Sequence, residues 1–301
     1  MEFVLSHEHA IARSPGVWEQ YPHTVDRGAI REKIVHEFRQ AREHGVSTIV
    51  DVTTLDLGRE VSLVESAAQS TGMRVVHATG IWLDIPRFML RESPEGVDEV
   101  AALFIQDIRV GIAGRSIKAG VIKLASDATK LDDGGQLSLH YAQVFRAGAR
   151  AAKATGVAIT THTDGKRQTG MSQAAIFEDE GLDPSRVAIG HSTLADLSYL
   201  LELLARGYYL SMDTFAYLRG ESLQEAIDRI AELCRQGWAH RLMLGHDHCC
   251  YNDRGGGVAT PELSRWCRIP LEVAPALVLA GLPDEQIATV CGGGAREFFR
   301  L

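Results

Sequence analysis

Met1-Glu-Phe-Val-Leu-Ser-His-Glu-His9 opens the chain with a short apolar run that ends in His-x-His. In a β-strand, side chains two residues apart share a face. If Phe3-Val4-Leu5 is a strand, His7 and His9 emerge together at its C-terminal end. Two imidazoles on one face are half of a metal site. An isolated His-x-His also suits a solvated N-terminal strand, so the rest of the chain must decide both the site and the fold.

Seven more apolar runs follow: Ser47–Val52, Arg74–Thr79, Gly120–Leu124, Val157–His162, Val187–His191, Tyr208–Asp213 and Arg241–Asp247. Segments of helical spacing separate them, near 28–44, 59–71, 96–112, 138–155, 170–180, 194–206 and 222–236. The first of these puts Ile30, Ile34, Phe38 and Ala41 on one stripe. A polar loop runs from His9 to about Thr24, and a longer loop spans Trp82–Pro94. A glycine-rich loop, 255–257, and two short helices close the chain. No linker, charge block or low-complexity tract divides it, so residues 1–301 are expected to form one domain. Strict alternation implies parallel strands joined by right-handed crossovers. Eight such units point to an α/β fold of the (β/α)8 TIM-barrel type, with a doubly wound open sheet as the alternative.

Composition narrows the function classes. A net charge of −8 leaves no basic excess for a nucleic-acid or anionic-membrane partner. No apolar run approaches the roughly 20 residues of a membrane span. The N-terminus lacks the basic start and long apolar core of a signal peptide. Five irregularly spaced cysteines suit a reduced compartment better than a disulfide framework. A cytoplasmic location is expected.

Active sites of such barrels lie at the C-terminal strand ends. The first run ends in His7 and His9, the fourth in Lys123, the fifth in His162, the sixth in His191 and the eighth in Asp247. Any one of these has a structural explanation; six at corresponding depths point to a metal centre. A lysine within Val-Ile-Lys-Leu is costly to bury unless it is paired or neutral. As a neutral amine it can take up carbon dioxide to form a carbamate, an anionic oxygen ligand able to bridge two divalent ions. Glu8, between two inward histidines, should point outward, as should His246 beside Asp247. His36, His44, His140 and His240 read as solvated, and Cys249 and Cys250 as packing residues.

The set His7-Glu8-His9, Lys123, His162, His191 and Asp247 resembles the amidohydrolase superfamily, and within it the phosphotriesterase family, which includes the phosphotriesterase-like lactonases. Further similar stretches are Ile49–Arg59, Ala119–Leu124, Thr160–Thr163, Gln173–Arg186 and Ile189–Ser192. The resemblance implies that His7, His9 and Asp247 bind the more buried of two metal ions and that His162 and His191 bind the other. Lys123, as a carbamate, and a hydroxide would bridge them. Zinc is the default, with Co, Mn or Fe as options. The bridging hydroxide would attack an ester carbonyl or phosphoryl centre, with Asp247 taking its proton. The resemblance also implies a homodimer.

The loops give a mixed account of the substrate. Trp82, just past the third run, resembles the tryptophan that lines the leaving-group pocket of the bacterial phosphotriesterases. The stretch Asp247-His-Cys-Cys250 is similar to a lactonase segment. After the seventh run lactonases often show Asp-Arg-Tyr; here Asp213-Thr214-Phe215 lacks the arginine. Near the C-terminus, Gly292-Gly-Gly-Ala295 replaces the family's usual Asn-Pro. Trp82, Phe215 and His248 are expected to meet a small lactone, ester or organophosphate. The resemblance favours lactone or ester hydrolysis with triester hydrolysis secondary; a primary phosphotriesterase is the alternative. A mononuclear deaminase-type enzyme has no need of Lys123, and a non-catalytic metal-binding barrel none of Asp247 as proton acceptor.

Overall fold

The structure is a computed structural model that describes residues 1–90, 95–255 and 257–301. Nine strands form one sheet: β1 Phe3–Ala12, β2 Val46–Asp51, β3 Arg74–Ile81, β4 Ala119–Ala125, β5 Ala158–His162, β6 Val187–Ile189, β7 Tyr209–Met212, β8 Leu242–Leu244 and β9 Cys249–Asn252. The helices are α1 Val17–Gln20, α2 Arg27–Glu43, α3 Val61–Thr71, α4 Glu95–Arg109, α5 Leu139–Thr155, α6 Gly170–Asp179, α7 Leu197–Ala205, α8 Gly220–Arg235, α9 Ala274–Leu279, α10 Asp284–Ala288 and α11 Gly294–Phe299. Neighbours run β8-β7-β6-β5-β4-β3-β2-β1-β9, so sheet order follows sequence order through eight strands. Helices alternate with those strands, as the (β/α)8 class requires. No helix of the described residues is long and apolar enough to cross a membrane, and all five cysteines are unpaired.

By compactness the chain divides into two units. The first comprises Met1–Thr53, Leu57–Val76 and Met212–Leu301. Its core helix is α2, capped by Asp26, whose side chain accepts from the Ala29 N–H at 2.9 Å. The expected stripe Ile30, Ile34, Phe38 and Ala41 is wholly buried. β1 pairs with β2, Leu5 opposite Ile49 and Glu8 opposite Asp51, with a register shift between those two pairs. β8 lies against the other edge of β1: the Ser6 hydroxyl donates to the Leu244 carbonyl at 2.9 Å, and the Asp247 N–H to that of His7 at 3.0 Å.

Two features of this unit differ from the sequence expectation. β1 runs on to Ala12, so His7 and His9 lie within the strand rather than beyond it. The residues after Asp247 turn into the ninth strand, β9, which pairs parallel with this extension, His9 opposite Cys249 and Ile11 opposite Tyr251. Of the glycine-rich loop 255–257, Gly256 lies outside the described residues, as do residues 91–94 of the Trp82–Pro94 loop.

The second unit comprises Thr54–Asp56 and His77–Ser211. Its strands are in register at the ends that matter: Gly80 opposite Lys123, Lys123 opposite Thr160, and Ala125 opposite His162. The Gly80–Lys123 pairing requires glycine. Gly80 has φ +114°, and a Cβ there would run into the Lys123 carbonyl. Gly80→Ala should therefore lower stability by more than about 1 kcal/mol. Gly135→Ala, also at positive φ but with open space around it, is the control for the backbone cost alone. Chemical denaturation of the two variants makes the comparison; equal midpoints would contradict the close approach at Lys123.

Candidate metal centre

In the first unit, three donors from opposite ends of the sequence converge. One ligand atom each of His7, His9 and Asp247 lies within 4.8 Å of the others. Asp247 Oδ1 is 3.3 Å from His9 Nε2 and 3.7 Å from His7 Nε2. Donors about 2.0–2.1 Å from a tetrahedral ion stand roughly 3.3–3.4 Å apart, so the set fits a divalent cation.

The second nitrogen of each imidazole is held from behind. His7 Nδ1 lies 2.7 Å from Asp213 Oδ2, a carboxylate with no exposed surface at the end of β7. His9 Nδ1 is 2.9 Å from the Thr53 hydroxyl, which itself donates to Asp51 Oδ1 at 2.6 Å. Since that hydroxyl's proton is committed to Asp51, it accepts from His9 Nδ1–H. Both rings thus present an Nε2 lone pair to the Asp247 side, and such outer partners fix tautomer and aim in metal sites. Asp213, Thr53 and Asp51 were not singled out in the sequence as partners of the ligands. The signal was there for Asp213, which ends a strand run.

Behind His7 and His9 the sequence led us to expect Glu8 to face outward. It does leave the side of the two imidazoles, yet it is fully buried. Its carboxylate accepts from His246 N (2.7 Å), His246 Nδ1 (2.8 Å), His248 N (3.2 Å) and the Trp266 indole N–H (2.8 Å). Burial pushes the Glu8 pKa upward, opposed by the amide hydrogen bonds and the nearby His248; since every group facing it is an N–H donor, the carboxylate is the form its surroundings accept. His246 accepts from Ile269 N at 3.1 Å through Nε2, so Nδ1 carries its proton. Burial holds this neutral imidazole down at about 3.

Two residues expected at the substrate are engaged elsewhere. His248 Nε2 meets Glu37 Oε2 on α2 at 3.3 Å, and its ring packs edge-on to Trp266. Burial raises Glu37, but hydrogen bonds from His248, Ser264 and Cys250 and the charge of His248 together hold it below the usual range. Phe215 has no exposed surface, and its carbonyl accepts from Arg268. Tyr217 is an exposed residue of the same loop, and its hydroxyl donates to the Asp247 carbonyl at 2.9 Å; partial desolvation drives its pKa upward. Cys249 is pushed up to about 12 by burial, which suits the packing role expected of it. His36, expected in solvent, is partly buried and pairs with the Pro261 carbonyl at 3.0 Å.

In the second unit, His191 Nε2 and His162 Nδ1 face one another at 2.6 Å. The His162 carbonyl accepts from Gln173 Nε2 at 2.8 Å and Ser126 N at 3.2 Å, so α6 and the end of β4 fix the end of β5. Trp82 is half-buried with its ring edge-on to His162, centroids 5.9 Å apart. The Trp82 backbone N–H donates to Asp56 Oδ1 at 2.9 Å, and the Asp84 backbone N–H donates to Oδ2 of the same carboxylate at 3.1 Å. Burial raises Asp56, opposed by these bonds and by Thr54. Lys123 is almost wholly buried in β4. The structure thus groups His7, His9 and Asp247 in one unit and His162, His191 and Trp82 in the other.

A model of the phosphotriesterase family matches residues 1–299. The chain is similar to an aryldialkylphosphatase of Saccharolobus solfataricus, 33% identical over 307 residues, which covers 99% of this chain and 94% of that one. It is 34% identical over 311 residues to a phosphotriesterase homology protein of Mycobacterium tuberculosis, covering 98% and 92% of the two chains. An N-acetyltaurine hydrolase of Dictyostelium discoideum is 27% identical over 248 residues, covering 76% and 65%.

Asp213→Ala should weaken divalent-metal binding about 10–100-fold. Metal titration of the chelator-stripped variant tests this, and an unchanged affinity would remove Asp213 from the ligand-orienting role.

Proposed function

This chain belongs to the phosphotriesterase family, a family of hydrolases, and from that premise we propose that it is a binuclear metal-dependent hydrolase of lactones or esters. The observation that carries the proposal is the convergence of His7, His9 and Asp247, each imidazole oriented from behind by a buried polar group. In this reading those three residues hold one divalent ion, zinc by default. His162 and His191 would hold a second, and Lys123, as a carbamate, would supply an anionic oxygen ligand. Ions so held supply Lewis acidity and lower the pKa of water from 15.7 towards 7.

The chain's own residues supply the rest. Asp247 accepts the proton of the attacking water; its half-buried carboxylate retains a route to solvent. Asp213 and Thr53 keep His7 and His9 in the tautomer that leaves Nε2 unprotonated. Trp82, held by Asp56, forms an apolar wall beside His162 against which a leaving group or acyl chain can lie.

Two kinds of reacting centre are represented among the relatives: one is named for an aryl dialkyl phosphate and another for an N-acyl compound, N-acetyltaurine. A site that stabilises the tetrahedral intermediate of acyl transfer also tolerates a phosphoryl centre with a good leaving group. This supports acyl hydrolysis as the main activity and triester hydrolysis as the secondary one.

Lys123→Ala should lose bound metal and at least about 10³-fold in kcat/KM, the equivalent of several kcal/mol of transition-state stabilisation. Wild-type turnover with both metals present in that variant would sink the carbamate role. A lactone panel assayed beside an aryl dialkyl phosphate decides the substrate class; a much higher kcat/KM on the triester would reverse the order proposed.

A further inference from the structure

Asp247 is a non-glycine residue in the left-handed region, φ +53°. In that turn the residue gives its N–H to the His7 carbonyl at 3.0 Å and brings its carboxylate to 3.3 Å from His9 Nε2. Left-handed backbone is unfavourable for an L-residue with a Cβ, and it persists where its surroundings over-determine it. The surroundings here are specific. The N–H groups on both sides of Asp247 end on one carboxylate: His246 N on Glu8 Oε1 at 2.7 Å, His248 N on Glu8 Oε2 at 3.2 Å. Each Glu8 oxygen takes one further donor, His246 Nδ1 at 2.8 Å on Oε1 and the Trp266 indole at 2.8 Å on Oε2.

We propose that Glu8 is the positioning residue for Asp247. It clamps the two flanking amides and so holds the turn that presents the Asp247 carboxylate to His7 and His9. This deepens the metal-hydrolase reading above and rests on it. The geometry is economical in chain terms. Glu8 stands between His7 and His9, so one stretch of β1 contributes two imidazoles on one side and, on the other, the clamp for the third donor. All four groups facing Glu8 are N–H donors. A carboxylate accepts from all four; a glutamine at this position would turn its own NH2 towards two of them.

The test uses the full chain stripped of metal by chelator and titrated with Zn2+ alone. The variants are Glu8→Gln, Asp247→Ala, the double variant and Trp266→Phe, with the melting temperature of each metal-free form recorded alongside. Glu8→Gln should weaken Zn2+ binding about 10–100-fold in the wild-type background. In the Asp247→Ala background it should change binding by less than about twofold, because the donor it positions is already gone. Trp266→Phe removes the donor that does not belong to the turn; it should lower the melting temperature yet change Zn2+ binding by less than about twofold. Glu8→Asp keeps the carboxylate one methylene short, and it stands in for Glu8→Gln if the latter folds poorly.

Equal losses in both backgrounds would assign Glu8 a purely structural role and overturn the inference. So would a Trp266→Phe loss as large as that of Glu8→Gln. If the wild-type chain binds no Zn2+, or Asp247→Ala binds as well as wild type, the metal-hydrolase reading and the inference fall together. If only the Glu8 variants bind normally, the inference alone falls.

Discussion

Four consecutive polar side chains, Ser6 to His9, are buried in β1, and the first unit is built around satisfying them. An unpaired buried amide or hydroxyl costs on the order of 1–3 kcal/mol, and an unpaired charge far more. Each of the four has a polar group set against it. Ser6 donates to Leu244, His7 faces Asp213, Glu8 takes four N–H donors and His9 meets Thr53. The partners lie at residues 51–53, 213, 244–248 and 266. The strand therefore reaches its native hydrogen bonding only when segments some 240 residues apart in sequence have come together. Fold and candidate site are one set of bonds here.

The ion pairs of the two units do different work. In the second unit Arg146 and Arg150 share Glu180, with distances of 2.9 and 3.1 Å, and reach Asp179 and Asp98 at the surface. Such partly exposed pairs are worth about 0–1 kcal/mol each. In the first unit Glu37, on α2, collects His248, Ser264 and Cys250 in the interior. Losing one buried partner there strands the others, which makes the network directional as well as cohesive. It ties α2 to the residues on both sides of β9, and through β9 to the end of β1 that carries His9.

Most of the strand plan was legible because eight strands are apolar runs punctuated by helices. The ninth was not. Cys249–Asn252 is four residues long, only partly buried and not set off by helical segments; it is a strand because the end of β1 offers an edge. The same edge explains why β1 extends past its histidines. The donors were legible as polar ends of apolar runs, a local property. Their supports were not, since the pairing of His7 with Asp213 or of Glu8 with Trp266 depends on non-local packing. Alternation correctly turned Glu8 away from the imidazoles. It could not say that the outer face of β1 is covered there by Trp266 rather than water.

Backbone strain gives an independent view of the same residues. Non-glycine positive φ occurs at Ala113, Gln168, His191, Asp247 and Arg300 among the described residues. Two of these, His191 at +51° and Asp247 at +53°, are residues expected as metal ligands from strand ends alone. Each left-handed residue with a Cβ costs about 1–2 kcal/mol, and glycine would remove that cost. Glycine would also remove the imidazole or the carboxylate. Glycine takes a positive φ without that cost, as at Gly80 within β3, where φ is +114° and the backbone passes close to Lys123. At His191 and Asp247 the backbone takes the left-handed conformation and the side chain is kept. The strain is therefore the expected cost of placing a donor where the backbone must reverse, and the hydrogen bonds around Asp247 are what makes that cost bearable.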